Sequence, residues 1–278
     1  MLPLLRNQIE VFLAPKRIDW VQSLRGFKPV KQPVMTVPVS QSTEQQTAWE
    51  QALNKLETEL PDNANADITV TLSNHWVRYV TLSPQTEINT PEEVYAYADF
   101  RMREIYGTRV DNWVISISMW NPASGAICAA IPHELLARTE AIVKNHGNRL
   151  NRIEPYFTAV LDKWEKTFQA QKSFVALVET DRLCIGVLKD GIWQNIRNQH
   201  ILNNVADELW AVLDQEAVLT GQKETVETVY LLAPEHPDLV LPPDCGWQIS
   251  PMQTEKSAIP EHYPRPFTDD VQENACLA

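Results

Sequence analysis

Apolar positions along this chain switch between a period of two and a period near 3.6, and the switches mark out strands and helices. Residues Gln8–Val39 hold three extended runs, Gln8–Ala14, Arg17–Leu24 and Val34–Val39, with turns at Pro15-Lys16 and from Gly26 through Pro33. A helix follows from Glu44 to Leu60, where Trp49, Leu53, Leu56 and Leu60 recur at spacings of four, three and four and form one apolar stripe. Asp67–Val70 and Trp76–Leu82 read as a strand pair broken at Ser73-Asn74-His75. Thr90-Pro91-Glu92-Glu93 is a helix start with an N-cap, a first-turn proline and a capping-box glutamate, and that helix should stop at Gly107. Trp113–Trp120 and Gly125–Ile131 make the next hairpin, and a helix from Pro132 ends at His146-Gly147.

The second half repeats the plan. A strand at Arg149–Ile153 and a helix through Val160, Leu161, Trp164 and Phe168 lead into a hairpin of Phe174–Val178 with Leu183–Lys189. Asp190-Gly191 turns the chain into a third strand, Trp193–Arg197. A helix from Asn204 to Leu219 carries Val205, Leu209, Val212 and Leu213, and strands follow at Thr228–Leu232 and Trp247–Ile249. This recurrence of meander, helix and strand is a duplication of architecture. It predicts an α/β protein of two lobes, 1–148 and a smaller 149–250, with mixed sheets and helices on their faces. Residues 251–278, with four of the 19 prolines and little periodicity, are expected to be a flexible tail.

Composition narrows the partners. A formal net charge of -12, from 36 acidic against 24 basic residues, excludes a phosphate-neutralising surface for nucleic acid and a basic membrane patch. Arg25, Lys28 and Lys31 read as the polar ends of a hairpin. No window approaches the roughly 18 apolar residues that span a bilayer, and Met1-Leu2-Pro3-Leu4-Leu5-Arg6 is too short for a signal peptide, so a cytoplasmic location is expected. Cys128, Cys184, Cys245 and Cys276 show no C-x-x-C pair and read as reduced thiols.

Four segments carry a resemblance: Leu72-Ser73-Asn74-His75-Trp76-Val77-Arg78-Tyr79, Tyr97-Ala98-Asp99-Phe100-Arg101 with Tyr106-Gly107, Ile153-Glu154-Pro155-Tyr156-Phe157, and Leu188-Lys189-Asp190-Gly191-Ile192-Trp193. Through them the chain resembles the actin-like cytoplasmic components of bacterial type IV pilus and type II secretion assembly platforms, and more closely a proteobacterial group related to them. The resemblance implies a two-lobed, ribonuclease H-like fold. It also implies protein partners: the short cytoplasmic segment of an inner-membrane component, and a motor ATPase. Some members hold ATP and others have lost it.

Such ATPases cradle phosphates in two β-hairpin turns, each with an Asp for the metal and small residues that let backbone N–H groups reach the anion. The first turn here, Ala14-Pro15-Lys16-Arg17, has neither Asp nor Gly, and Pro15 removes a donor. The second, Glu179-Thr180-Asp181-Arg182, is acidic but short and without Gly; Glu179 or Asp181 as a metal ligand stands beside the reading of an exposed acidic tip. After the late strand Val229-Tyr230-Leu231-Leu232 the family's glycine pair is replaced by Ala233-Pro234-Glu235. With eight glycines in 278 residues, against an average usage near 7%, no cofactor is expected. Opposite charges on the two turns predict a cleft narrowed or filled by side chains.

Enzyme readings find little support. Glu10, Asp19 and Asp67 lack the spacing of a two-metal nuclease and read as strand faces. His75, His133, His146, His200, His236 and His262 show no zinc spacing, and no G-x-S-x-G occurs. His75, Arg78 and Tyr79 keep two readings: a strand-end turn with Tyr79 in the core, or a polar groove that recognises a peptide. Two function hypotheses result, a non-catalytic scaffold and a residual actin-like ATPase or small-molecule kinase with divergent loops.

Overall fold

In the computed structural model, residues 6–24, 30–40, 47–62, 65–164, 167–168, 172–221 and 227–252 are described. Arg25, Lys28, His262, Cys276 and the tail beyond Met252 lie outside them. The described chain forms two compact units, residues 6–77 with 131–163, and residues 78–130 with 164–252. The first opens with β1 (Asn7–Leu13), β2 (Arg17–Leu24), β3 (Val30–Lys31), β4 (Met35–Pro38), α1 (Ala48–Glu59) and β5 (Ala66–Leu72). Then come β6 (Arg78–Leu82), α2 (Pro91–Tyr106), β7 (Trp113–Ile117) and β8 (Ala126–Pro132), nearly all within the second unit. The first unit closes with α3 (His133–Asn145), β9 (Arg149–Pro155) and α4 (Tyr156–Trp164). The second ends with β10 (Lys172–Glu179), β11 (Arg182–Lys189), β12 (Ile192–His200), α5 (Val205–Leu219), β13 (Glu227–Leu232) and β14 (Trp247–Pro251).

The two larger sheets share one scheme. In the first unit the order is β3-β2-β1-β5-β9, with β4 beside β3 on the same edge of β2; in the second it is β12-β11-β10-β13-β14. β1 and β10 pair antiparallel with their hairpin partners and parallel with β5 and β13, and a second parallel strand, β9 or β14, follows. The duplication expected from the sequence is therefore present in the order of the two sheets, with β4 an addition to the first. Asp190 and Gly191 turn β11 into β12 with φ values of 52° and 76°, the left-handed pair that a two-residue Asp-Gly hairpin requires.

Burial follows the periodic stripes. Trp49, Leu53, Leu56 and Leu60 are buried in the first unit, as are Leu135, Ile142 and Val143 of α3. In the second, Leu209, Val212, Leu213 and Ala217 of α5 share one core with Phe174, Ala176, Val178, Leu183, Ile185 and Val187. A satellite core joins Ala98 and Met102 of α2 to Val80, Leu82, Ile115 and Cys128. α2 starts on the capping box foreseen: Glu93 N–H donates to Thr90 Oγ1 at 3.3 Å and Thr90 N–H to Glu93 Oε2 at 3.0 Å.

Two expectations fail for one reason. Asp67–Val70 and Trp76–Leu82 do not pair, because both edges of β5 are taken by the parallel strands β1 and β9, and β6 pairs with β8 instead. The same pairing shifts the division at residue 148: β9 completes the first sheet, while residues 78–130, lying in the chain between β5 and α3, group with the second unit. The final strand also runs past Ile249 to Pro251, opposite Leu231, so the tail's first residue is part of the sheet.

Gly125 is the tightest point of the β7–β8 turn. It has φ 75°, and a Cβ there would fall 1.9 Å from the Leu82 carbonyl oxygen. Gly125→Ala is expected to destabilise the protein by about 2 kcal/mol or more, since strain at positive φ adds to a clash with backbone, and urea unfolding measures it.

Candidate functional site at the carboxyl ends of the parallel strands

Open α/β sheets bind ligands outside the carboxyl ends of their parallel strands, so each unit has one edge to inspect. In the first unit this edge gathers the β1–β2 turn, the Ser73–Val77 turn after β5 and the start of α4 after β9. Ala14 N–H donates to Arg17 C=O at 3.0 Å, leaving a two-residue loop of Pro15 and Lys16, and Lys16 C=O accepts from Val39 N–H at 2.8 Å. Arg17 Nε donates to Asp19 Oδ2 at 2.8 Å, its guanidinium lies 5.5 Å from the Phe12 ring centre, and Thr36 Oγ1 donates to the other Asp19 oxygen at 2.7 Å. Asp19 is thus buried and engaged through both oxygens.

The turn after β5 is buried and closed on itself. Ser73 N–H donates to Leu13 C=O at 2.9 Å, and Ser73 Oγ lies 2.7 Å from His75 Nδ1. Asn74 has no exposed surface, and its Oδ1 accepts from Phe157 N–H at 3.2 Å. The first turn of α4, where an anion would otherwise meet free N–H groups, therefore receives a side-chain cap from another segment.

In the second unit the corresponding edge joins the β10–β11 turn to the end of β13. Glu179 pairs with Arg182 across the hairpin, which leaves Thr180 and Asp181 as the loop. Thr180 Oγ1 donates to the Glu235 carboxylate, and His236 Nε2 lies 3.2 Å from Glu179 C=O. Asp181 C=O accepts from Ile201 N–H at 2.9 Å, and His200 Nε2 is 3.9 Å from the Asp181 carboxylate. The two hairpin turns thus have side chains or backbone tied to neighbouring elements. Glu235 and His236 complete the second edge; the sequence marked Glu235 only as standing where a glycine pair would be, and His236 only among histidines without zinc spacing.

Of the proposed recognition residues, His75 lies within the Ser73–Val77 turn of the first unit, and Arg78 and Tyr79 begin β6 in the second. Tyr79 is 2% exposed, and its carbonyl accepts from Tyr106 Oη at 3.0 Å. Burial raises the Tyr106 hydroxyl pKa, with the Arg78 charge opposing. Burial also lowers the Arg182 pKa, Arg78 adding to the effect while Glu179 and Asp181 resist it.

The three early carboxylates do not converge. Glu10 pairs in register with Val21, Asp19 with Phe12 and Asp67 with Gln8. Asp67 is clasped by Arg149 at 2.9 and 3.0 Å and by Arg6 at 3.2 Å, so it is a salt-bridged strand end where a solvated face was expected. Among the described residues no three His, Cys, Asp or Glu side chains form a group suited to a metal. Nor is any described helix long and apolar enough to cross a membrane.

Solved structures of the actin-like ATPase fold match this arrangement of mixed sheets and helices. The sequence itself matches no protein-family model and no curated protein. A protein of actin-like ATPase fold and unknown function from Bacteroides thetaiotaomicron aligns over 83% of this chain and 84% of its own, with 10% identity and TM-score 0.58. The cytoplasmic domain of EpsL, an inner-membrane component of the Vibrio cholerae type II secretion system, aligns over 89% and 90% at 14% identity and TM-score 0.54. A PilM–PilN type IV pilus biogenesis complex gives 88% of each chain, 14% identity and TM-score 0.62. At such identities the likeness is one of fold.

Asn74→Ala removes the acceptor for Phe157 N–H inside the first unit and is expected to cost about 1–3 kcal/mol in urea unfolding. Burial pushes the Cys128 thiol up to about 12 and raises Cys184 well above its ordinary value. Both should resist alkylation in the native state at pH 8 and react on unfolding, as mass spectrometry of the labelled protein would show.

Proposed function

We propose that this chain is a non-catalytic, cytoplasmic protein-binding scaffold in the assembly of a type IV pilus or type II secretion-like envelope machine, an actin-like protein whose nucleotide site is degenerate. The observation that carries the reading is the state of the two hairpin turns. Each is a two-residue loop without glycine, Pro15-Lys16 and Thr180-Asp181, with neighbouring groups engaged by Asp19, Val39, Glu235, His236 and Ile201. A phosphate cradle needs several backbone N–H groups turned toward one anion, and a two-residue hairpin offers too few.

The setting is supported by the likeness to the EpsL cytoplasmic domain and to the PilM–PilN complex. On this reading the partners are proteins, the cytoplasmic segment of an inner-membrane component and a motor ATPase, and they recruit the chain to the inner membrane. His75 and Arg78, both half-buried, are polar groups proposed to take part in recognition, without the buried Tyr79 ring. The chain then serves as a proteobacterial member of the group in which shape has outlasted ATP binding.

Thermal melting with millimolar ATP, with and without Mg, tests the reading. No shift is expected, whereas a ligand at 100 times its dissociation constant would add about 2.7 kcal/mol. A clear upward shift would favour a residual ATPase or small-molecule kinase.

A further inference from the structure

Strands that end a sheet expose unpaired N–H and C=O groups, and proteins guard them with charge or proline. Here β3 carries Lys31, β4 Pro38, β6 Arg78, β9 Arg149 and Arg152, β12 Arg197, and β14 Pro251. β7, at the end of the order β6-β8-β7, carries neither. It belongs to an uncharged stretch running from Asn112 to Pro132, in a chain of which 22% is Asp, Glu, Lys and Arg.

The hydrogen bonding fixes which groups lie on the side that no described strand pairs. Ser118 N–H donates inward to Ile127 C=O at 2.8 Å, so the N–H and C=O of alternate residues Ile115 and Ile117 point outward. Side chains alternate within the strand, Ile115 buried and Ser116 exposed, and beyond the strand's end Met119 is 84% exposed.

We propose that the open edge of β7 pairs antiparallel with β7 of a second copy of this chain, about a twofold axis through Ser116. In that register Ile115 of each copy exchanges both backbone bonds with Ile117 of the other, about four bonds in all. The segment is its own complement. Ser116 falls opposite Ser116, and Trp113 and Val114 run on toward the other copy's uncharged Ser118 and Met119; the strand Trp113–Ile117 carries no charge, so no like charges meet along the pair. Two chains of charge -12 repel each other, and this hairpin is a place where they approach without opposing carboxylates. A partner chosen by charge would find nothing to read on this edge, which favours a second copy over a basic peptide. A single strand pair buries less than a standard interface, so association is weak and concentration-dependent.

Sedimentation velocity of the full chain over a concentration series, at physiological salt, tests the proposal alongside amide exchange. The wild type should dimerise on concentration, with slowed exchange at the Ile115 and Ile117 amides. Ser116→Lys sets like charges directly opposite at an exposed position and should be monomeric with an unchanged melting curve; Ser116→Glu should behave alike, and an equimolar mixture of the two variants should associate again. A wild type that stays monomeric throughout, a Ser116→Lys variant that dimerises as the wild type does, or a mixture that fails to associate would overturn it. The ATP test of the preceding reading does not bear on these outcomes.

Discussion

Each large sheet depends on one central strand held between an antiparallel and a parallel neighbour. β1 takes β2 on one side and β5 on the other, and β10 takes β11 and β13. A parallel pair cannot be joined by a tight turn, so the chain must cross over, and the crossovers supply α1 and α5. The parallel strands also set direction: their carboxyl ends fall on one edge, which is where the turns, caps and charged side chains collect. Leu13 and Leu72, in register at the end of β1 and β5, bring Ala14 and Ser73 side by side. The edge is thus a consequence of strand pairing before it is a site.

That constraint explains why each of these edges is occupied by side chains of its own unit. Once Leu13 is paired with Ile18, four residues remain to turn the chain, and hairpin register keeps that turn tight. Arg17 then finds its charge partner two residues along its own strand, in Asp19. In the second unit Thr180 reaches Glu235, brought within range because β13 runs parallel to β10. Glycine is spent elsewhere: Gly107, Gly147 and Gly221 follow helices, Gly125, Gly191 and Gly246 shape other turns, and Gly186 lies within β11. None stands in either hairpin turn.

Local features were legible in the sequence, because they depend on neighbours within a few residues. The stripe of Trp49, Leu53, Leu56 and Leu60, the Thr90 capping box and the Asp190-Gly191 turn all follow from spacing alone, and the structure has each of them. What could not be read was which strand would capture an edge. Asp67–Val70 and Trp76–Leu82 look like a hairpin, but β1, more than fifty residues upstream, and β9, far downstream, hold β5 on both sides. The grouping of residues 78–130 with the second unit, and the closeness of Thr180 to Glu235, are equally non-local. A three-stranded sheet with its own helix stripe reads as a continuation of the preceding lobe when only the order of elements is known.

Glu216 shows the other limit of periodicity. It stands on the same stripe of α5 as Leu209, Val212 and Leu213, where the 3.6 period calls for an apolar residue, and it has no exposed surface. Its carboxylate accepts from Asn195 Nδ2 at 2.6 Å and from Arg197 Nε at 2.5 Å, so one face of α5 is tied to β12 by charge where the neighbouring turns use packing. An unpaired carboxylate there would be costly, while a paired one fixes helix and strand in a single register. Asn195 and Arg197 lie two residues apart and so share a face of β12, which lets both reach the same carboxylate. The polar pattern of a strand and the one polar position on a helix stripe thus encode a contact together that neither reveals alone.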